Sequence, residues 1–185
     1  MAKKNYPELN KKLKESYRAE SEAFMNSIRN VKEVQERKIL ELVRKNASTV
    51  FGIEREFPKI RSVNDFQRAM PVSTYEEFKP YIIRIMDGEQ KVLTAEQVLM
   101  LEPTSGSVSP SKFIPYTASL REEFRRGIFP WLYDLMQSNP KMNNGSFYWS
   151  ITPASHEERK TSGGLPIGFG DDAGYFTRDQ QSLIT

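Results

Sequence analysis

The chain has 185 residues, of which 38% are hydrophobic and 28% charged, with eleven Phe, eight Tyr and two Trp. This composition is typical of a folded domain and excludes a mostly disordered chain. The sequence contains no cysteine, which excludes a disulfide framework, thiolate zinc sites and cysteine nucleophiles. No run approaches the ~18 apolar residues of a membrane span, and the N-terminus lacks the apolar stretch of a secretory signal. We therefore expect a cytoplasmic protein with no membrane partner.

The net charge of +3 has its source in one part of the chain. Residues 1–46 carry twelve Lys and Arg against seven Glu, whereas residues 47–185 carry fifteen basic against seventeen acidic residues. A nucleic-acid-binding surface gathers its basic residues on one face or along a groove. Here Lys and Glu are interleaved along a predicted helix, so we predict a solvated helix face and no nucleic-acid partner.

Residues 8–46 lack Pro and Gly, and their apolar residues recur at helical spacing in two stripes. Asn30 lies between the stripes and is predicted to cap a second helix. The stripes consist of Leu9, Leu13, Tyr17, Phe24 and Ile28, and then Val31, Val34, Ile39, Leu42 and Val43. Helices packed on a core are the preferred interpretation, and a partner-binding helix is the alternative.

Residues 57–88 predict short helices separated by prolines. Ser62 is expected to cap a helix over Val63–Ala69, which ends before Pro71 because proline disfavours helical geometry in the residue before it. Thr74-Tyr-Glu-Glu77 has the pattern of a capping box, and the helix that it opens is predicted to close at Gly88.

The segment that follows alternates strand-like and helical stretches, which is an α/β signature. Val98–Leu101 and Lys112–Tyr116 predict two strands on either side of a polar loop. Thr117 or Ser119 is expected to cap the next helix. The predicted buried stripe of that helix consists of Leu120, Phe124, Ile128, Trp131, Leu132 and Leu135.

A buried strand is predicted over Phe147–Ile151, followed by a glycine-rich loop region after Thr152. We interpret Tyr148 and Trp149 as core residues of that strand, and stacking on an adenine or acyl ring is the alternative.

The polar loop Thr104–Lys112 has the sequence Thr-Ser-Gly-Ser-Val-Ser-Pro-Ser-Lys and contains five hydroxyl groups. Hydroxyls and backbone N–H groups near a glycine can bind phosphate oxygens, and a lysine adds positive charge. The loop lacks the Gly-x-x-x-x-Gly-Lys-Ser/Thr pattern of the Walker loop. The residues alone therefore leave two interpretations open, a phosphate-binding loop and an ordinary Ser/Gly/Pro loop.

The same nine residues resemble the phosphate-binding signature of acyl-adenylate-forming enzymes, Ser/Thr-Ser-Gly-Thr-Thr/Ser-Gly-x-Pro-Lys. The flanking segments Phe66–Tyr81, Ile85–Glu89 and Lys112–Thr117 resemble the auxin-responsive Gretchen Hagen family of acyl acid–amido synthetases. The resemblance runs from about residue 39 to about residue 175. It implies an incomplete α/β fold, with an N-terminal helical segment (1–56) and then the beginning of an adenylate-forming large-domain sheet (57–185).

Members of this family are ligases that join a carboxylic acid to an amine or amino acid through an acyl-adenylate. The resemblance implies ATP and Mg²⁺ as cofactors, the metal offsetting charge on the leaving pyrophosphate. The residues that would hold the β- and γ-phosphates are Thr104, Ser105, Gly106, Ser107 and Lys112. We expect this portion alone to make no amide, and the sequence identifies no catalytic residue.

Two positions of the loop depart from the family pattern. Val108 replaces a hydroxyl residue and removes one donor, and Ser109 replaces a glycine and restricts the backbone. Both departures favour the alternative interpretation, a truncated or degenerate homologue without catalysis that acts as a binding or interaction module.

Three further features of the sequence are candidates for chemistry. His156 is the single histidine, and it is either a general base or merely exposed. Asp171 and Asp172 are either magnesium ligands or part of a solvated turn, which is the preferred interpretation. The glycine-rich stretch Gly163–Gly170 does not fit a dinucleotide-binding fingerprint, although in the resembling family this region lies near the acyl-substrate pocket. No His/Cys/Asp cluster has metal-ligand spacing, so no metal site built from protein ligands is predicted.

Overall fold

The computed structural model describes residues 5–104, 112–148 and 159–168. The α-helices in these residues are Tyr6–Ser27 (α1), Val31–Lys45 (α2), Val50–Glu54 (α3), Val63–Ala69 (α4), Tyr75–Met86 (α5) and Ala118–Ser138 (α6). Two short 3-10 helices cover Phe57–Lys59 and Pro140–Asn144. The strands are Met100–Pro103 (β1), Phe113–Tyr116 (β2), Arg159–Lys160 (β3) and Pro166–Ile167 (β4).

The four strands form one mixed sheet in the order β2-β1-β4-β3. Strand β1 pairs antiparallel with β2 and parallel with β4, and β3 pairs antiparallel with β4. Helices that lead into the start of an α/β sheet confirm the predicted fold class. The prediction of loop after Thr152 is wrong for residues 159–160 and 166–167, because two-residue strands are too short to show a hydrophobic period.

The chain divides into two compact units. One contains α1, most of α6 and the 3-10 helix Pro140–Asn144, and the other contains α2 to α5 and the sheet. The predicted domain boundary after residue 56 stays a prediction.

The core of the first unit lies between α1 and α6. Leu13 and Tyr17 of α1 are buried against Met136 of α6, and the Tyr17 ring stacks on Phe129 with 4.6 Å between ring centroids. Burial raises the pKa of Tyr17 well above its usual range. Asn10 is fully buried and donates hydrogen bonds to the carbonyl oxygens of two residues beyond α6.

The predicted stripe on α6 is wrong at its centre, since Trp131 is 54% exposed. The residues that pack toward α1 are Phe129, Leu132, Tyr133 and Met136. Their three- and four-residue steps also have helical spacing, and Trp131 lies about 200° around the helix from Phe129. Because α6 has many apolar residues, its sequence fits more than one buried stripe. The contact with α1 decides which of these stripes is buried.

The predicted break between α1 and α2 is confirmed, and Asn30 occupies the N-cap position of α2, but its side chain makes no capping hydrogen bond. The apolar stripes are buried only in part. Leu13, Tyr17 and Val43 are buried, whereas the large apolar residues nearest the break, and one near the end of α2, are about half exposed: Phe24, Ile28, Val31 and Leu42.

The second unit buries two apolar clusters. The first comprises Val43, Phe51, Phe57 and Ile60, and the second comprises Ile85, Val92, Val98 and Leu101. Leu101 of β1 is completely buried, so the central strand is anchored directly to the helix layer.

Two of the helix starts predicted for the second unit, at Ser62 and at Thr74, are confirmed. The Ser62 hydroxyl accepts the Asp65 N–H at 3.1 Å, and α4 has the predicted bounds Val63–Ala69. At the start of α5, the Thr74 N–H donates to the Glu77 carboxylate at 2.6 Å, as a capping box requires.

Candidate phosphate-binding site

The ends of the predicted phosphate loop lie side by side. Strands β1 and β2 pair in a register that places Pro103 opposite Phe113. Beyond that pair, the Thr104 N–H donates to the Lys112 carbonyl oxygen at 2.8 Å, and the Lys112 N–H donates to Thr104 Oγ1 at 3.3 Å. The structure therefore brings together two of the predicted site residues, Thr104 and Lys112, as the closing pair of a hairpin.

The other predicted site residues, Ser105, Gly106 and Ser107, lie outside the described residues. The two departures from the family pattern, Val108 and Ser109, lie there as well. Their predicted effects on phosphate binding stay predictions.

The donor set at the closing pair suits an anionic group. The Thr104 oxygen already accepts a backbone N–H, which leaves the hydroxyl hydrogen able to donate to a ligand. Lys112 contributes an ammonium group with up to three N–H donors, and both residues are exposed to solvent. A hydroxyl donor and an ammonium group on two residues joined by backbone hydrogen bonds both suit phosphate oxygens in charge and in hydrogen-bond sense.

Tyr75 is a residue at this site that the sequence analysis missed. Its hydroxyl accepts the Phe113 N–H at 2.9 Å, and Lys112 Nζ lies 5.6 Å from the centre of its ring. The sequence placed Tyr75 only within the capping-box segment Thr74–Glu77 and gave its side chain no role. The available signal was its position directly after the capping residue Thr74, within the segment that resembles the synthetase family.

The closing pair lies at the carboxyl edge of the two parallel strands. Leu101 of β1 pairs with Ile167 of β4, and the Gly168 N–H donates to the Leu101 carbonyl oxygen at 2.8 Å. Thr104 follows β1 and Gly168 follows β4, so both residues leave the sheet at the same edge. In open α/β sheets, ligands bind outside this carboxyl edge.

The other candidates gain no structural support. His156, Asp171, Asp172 and Trp149 lie outside the described residues. Tyr148 is 82% exposed, so its interpretation as a core residue is wrong. Among residues 5–104, 112–148 and 159–168, no group of three His, Cys, Asp or Glu is placed to hold a metal ion. No helix in those ranges is both long and apolar enough to cross a membrane.

The chain matches a known protein family over most of its length. The family model described as the GH3 family N-terminal domain matches residues 20–184. The chain belongs to the GH3 family and corresponds to its N-terminal portion, which confirms the resemblance to acyl acid–amido synthetases.

Individual relatives define which part of such an enzyme is present. The chain is 30% identical over 143 residues to a probable indole-3-acetic acid-amido synthetase GH3.1 of Arabidopsis thaliana, a match covering 75% of this chain and 23% of that protein. It is 25% identical over 155 residues to the jasmonoyl–L-amino acid synthetase JAR6 of Nicotiana attenuata, covering 80% of this chain and 25% of the relative.

A solved structure shows the same fold. The AtGH3.15 acyl acid amido synthetase in complex with 2,4-DB superposes with a TM-score of 0.71 at 23% identity, covering 84% of this chain and 27% of that chain. The chain thus spans about a quarter of the length of the relatives that it matches.

Proposed function

We propose that this chain is the phosphate-binding N-terminal part of an ATP-dependent acyl acid–amido synthetase. In that reaction a substrate carboxylate oxygen bonds to the α-phosphorus of ATP, and the bond to the bridging oxygen breaks to release pyrophosphate. An amine nitrogen then bonds to the acyl carbon, AMP leaves with the electron pair of the broken bond, and the amine loses a proton. The product is an amide.

Family membership and the relatives support the substrate classes that we propose. One relative is described as an indole-3-acetic acid-amido synthetase and another as a jasmonoyl–L-amino acid synthetase, so each joins an organic acid to an amine or amino acid. We propose a small carboxylic acid and an amino acid as the substrates of the whole enzyme to which this chain corresponds.

The observation that carries the proposal is the closing pair at the carboxyl edge of the sheet. Thr104 and Lys112 bracket the loop, and the proposed phosphate ligands are completed by Ser105, Gly106 and Ser107. Donors fixed in advance around a polyphosphate stabilise the charge that develops on leaving pyrophosphate, and they align the α-phosphorus for attack. Mg²⁺ would neutralise part of that charge, and we propose no residue of this chain as its ligand.

Binding of MgATP to purified residues 1–185, measured by isothermal titration calorimetry, tests the proposal. We expect Lys112→Met to weaken binding about ten-fold or more, the scale of losing a charged hydrogen bond of about 1.5 kcal/mol. Lys79→Met is the matched control, since Lys79 is exposed and pairs with Glu76 on α5. Equal dissociation constants for wild type and Lys112→Met, with both proteins folded by circular dichroism, would contradict the assigned role.

The second candidate function is a degenerate homologue that acts as a binding or interaction module. Val108 and Ser109 favour it, because each replaces a residue of the phosphate-binding pattern. A folded wild-type chain with no affinity for MgATP would support this alternative. A gain of binding in the Val108→Thr/Ser109→Gly double variant would then show that these two positions had removed it.

A further inference from the structure

Tyr75 connects helix α5 to two adjacent residues, Lys112 and Phe113. Its hydroxyl accepts the Phe113 N–H at 2.9 Å, which fixes the first residue of β2. Its ring lies 5.6 Å from Lys112 Nζ, within the range of a cation–π contact. One side chain therefore holds the backbone of one residue and the charged group of the residue before it.

The backbone of Lys112 is held from the opposite strand. Its N–H donates to Thr104 Oγ1 at 3.3 Å, and its carbonyl oxygen accepts the Thr104 N–H at 2.8 Å. With both backbone groups bonded, the remaining freedom of Lys112 is that of its long side chain. That is the part that the Tyr75 ring contacts.

The position of Tyr75 is itself fixed locally. It is the first residue of α5, directly after Thr74, whose N–H donates to the Glu77 carboxylate at 2.6 Å. The Tyr75 side chain is half-buried. A capped helix start and a partly buried ring make Tyr75 a firmer support for a lysine than an exposed side chain would be.

An aromatic ring holds a cation in a way that suits phosphate binding. A carboxylate partner would place a negative charge beside the ammonium and repel an incoming phosphate. A ring face attracts the cation through its quadrupole and carries no net charge, so the positive charge stays available to a ligand.

We propose that Tyr75 is a positioning residue that holds the Lys112 ammonium at the mouth of the β1–β2 hairpin for a polyphosphate ligand. The proposal rests on the proposed function, since it takes Lys112 to be a phosphate ligand. Tyr75 acts through Lys112 and does not itself contact the ligand.

A double-mutant cycle on MgATP binding tests this role in the full chain. We expect Tyr75→Leu to weaken binding about three- to five-fold, and Tyr75→Phe, which keeps the ring, to weaken it less than about two-fold. In a Lys112→Met background, Tyr75→Leu should change the dissociation constant no further. Tyr81→Leu is the control, because Tyr81 lies on the same helix, packs its ring on Phe51 and bonds its hydroxyl to Glu54.

An NMR measurement separates this inference from the proposed function. The Lys112 ε-methylene protons should show an upfield ring-current shift in wild type and in Tyr75→Phe, and lose it in Tyr75→Leu. Absence of the shift in wild type overturns the positioning role whether or not ATP binds. An equal effect of Tyr75→Leu in both lysine backgrounds overturns it too. A wild-type chain that shows the shift but binds no MgATP contradicts the proposed function while leaving the Tyr75–Lys112 contact established.

Discussion

Asn10 is a fully buried polar residue that joins α1 to the segment after α6. Its Nδ2 donates to the carbonyl oxygens of Asn143 at 2.9 Å and Gly145 at 2.8 Å. We expect Asn10→Ala to lower the free energy of unfolding by about 2 kcal/mol, because it removes two hydrogen bonds to part-buried carbonyl oxygens. Equilibrium unfolding in urea, followed by circular dichroism, measures the change.

The control for this prediction is Asn5→Ala. The Asn5 amide also donates a hydrogen bond, to Glu8 at 3.2 Å, but this bond is exposed to solvent. Its removal should change the free energy of unfolding by less than about 0.5 kcal/mol. An Asn10 variant that is no less stable than the Asn5 variant would show that the buried amide contributes nothing.

Single residues also show where sequence rules succeed and where they fail. The caps at Ser62 and Thr74 were predicted correctly, because each depends on side-chain and backbone groups only three residues apart. Burial of Trp131 was predicted wrongly, because it depends on which face of α6 meets α1. The link from Tyr75 to Phe113 spans 38 residues, and no local pattern encodes it.

At the scale of elements, a contact between two glycines attaches the β3–β4 turn to the end of α5. The Gly163 N–H donates to the Met86 carbonyl oxygen at 2.8 Å, and the Ser162 hydroxyl donates to the Asp87 carboxylate at 2.6 Å. A Cβ on Gly163 would lie 2.4 Å from the Gly88 nitrogen, closer than real contacts allow. Glycine at this position is therefore required by the close approach of two backbones.

We expect Gly163→Ala to lower the free energy of unfolding by about 1–3 kcal/mol, the usual cost of forcing packed groups apart. Gly127→Ala is the matched control, because nothing lies within 4 Å of a Cβ at that position inside α6. Alanine there should raise the free energy of unfolding by about 0.5–1 kcal/mol through helix propensity. Urea unfolding of both variants should give opposite signs, and a Gly163 variant as stable as wild type would contradict the close contact.

Strands were harder to predict from sequence than helices for a physical reason. Helix α4 was predicted to the residue, since its cap and the following Met70-Pro71 define both ends. The apolar run Val98–Leu101 predicted a strand, but β1 covers Met100–Pro103, because strand bounds follow the pairing with β2 and β4. Pairing partners are distant in the chain, so the hairpin of β3 and β4 had no local signature.

For the whole molecule, the loop and its flanking segments predicted the family. The family resemblance in turn implied an adenylate-forming fold and a phosphate-binding role for the loop, which the residue pattern alone could not decide. The residues of the Thr104–Lys112 loop alone allowed two interpretations, a phosphate-binding loop and an ordinary Ser/Gly/Pro loop. The match of residues 20–184 to the GH3 N-terminal domain shows the family, and the hairpin register places the loop ends together. The chain covers about a quarter of its relatives' length, so the activity of a whole synthetase stays a proposal here.

The charge of the whole molecule leads to a last prediction, about nucleic acid. The basic residues of α1 are interleaved with acidic ones, and two of them are paired, Lys12 with Glu8 at 3.4 Å and Arg18 with Glu15 at 2.6 Å. The Glu20 carboxylate of α1 pairs in turn with Arg126 of α6 at 3.1 Å. The Arg18 guanidinium, hydrogen-bonded to Glu15, holds the pKa of that carboxyl below its usual value, so Glu15 keeps its charge to a lower pH than an unpaired glutamate does.

We therefore expect no binding of wild type to a short fluorescent DNA duplex in an anisotropy titration at about 150 mM salt, where non-specific binders have dissociation constants of about 10⁻⁴–10⁻⁶ M. The Glu8→Gln/Glu15→Gln/Glu20→Gln variant removes three negative charges while keeping the side-chain shapes. It should bind the duplex with an affinity that falls linearly with the logarithm of salt concentration, because released counterions drive such binding. Micromolar binding by wild type, with the same salt slope as the variant, would show that the interleaved carboxylates do not screen the basic residues.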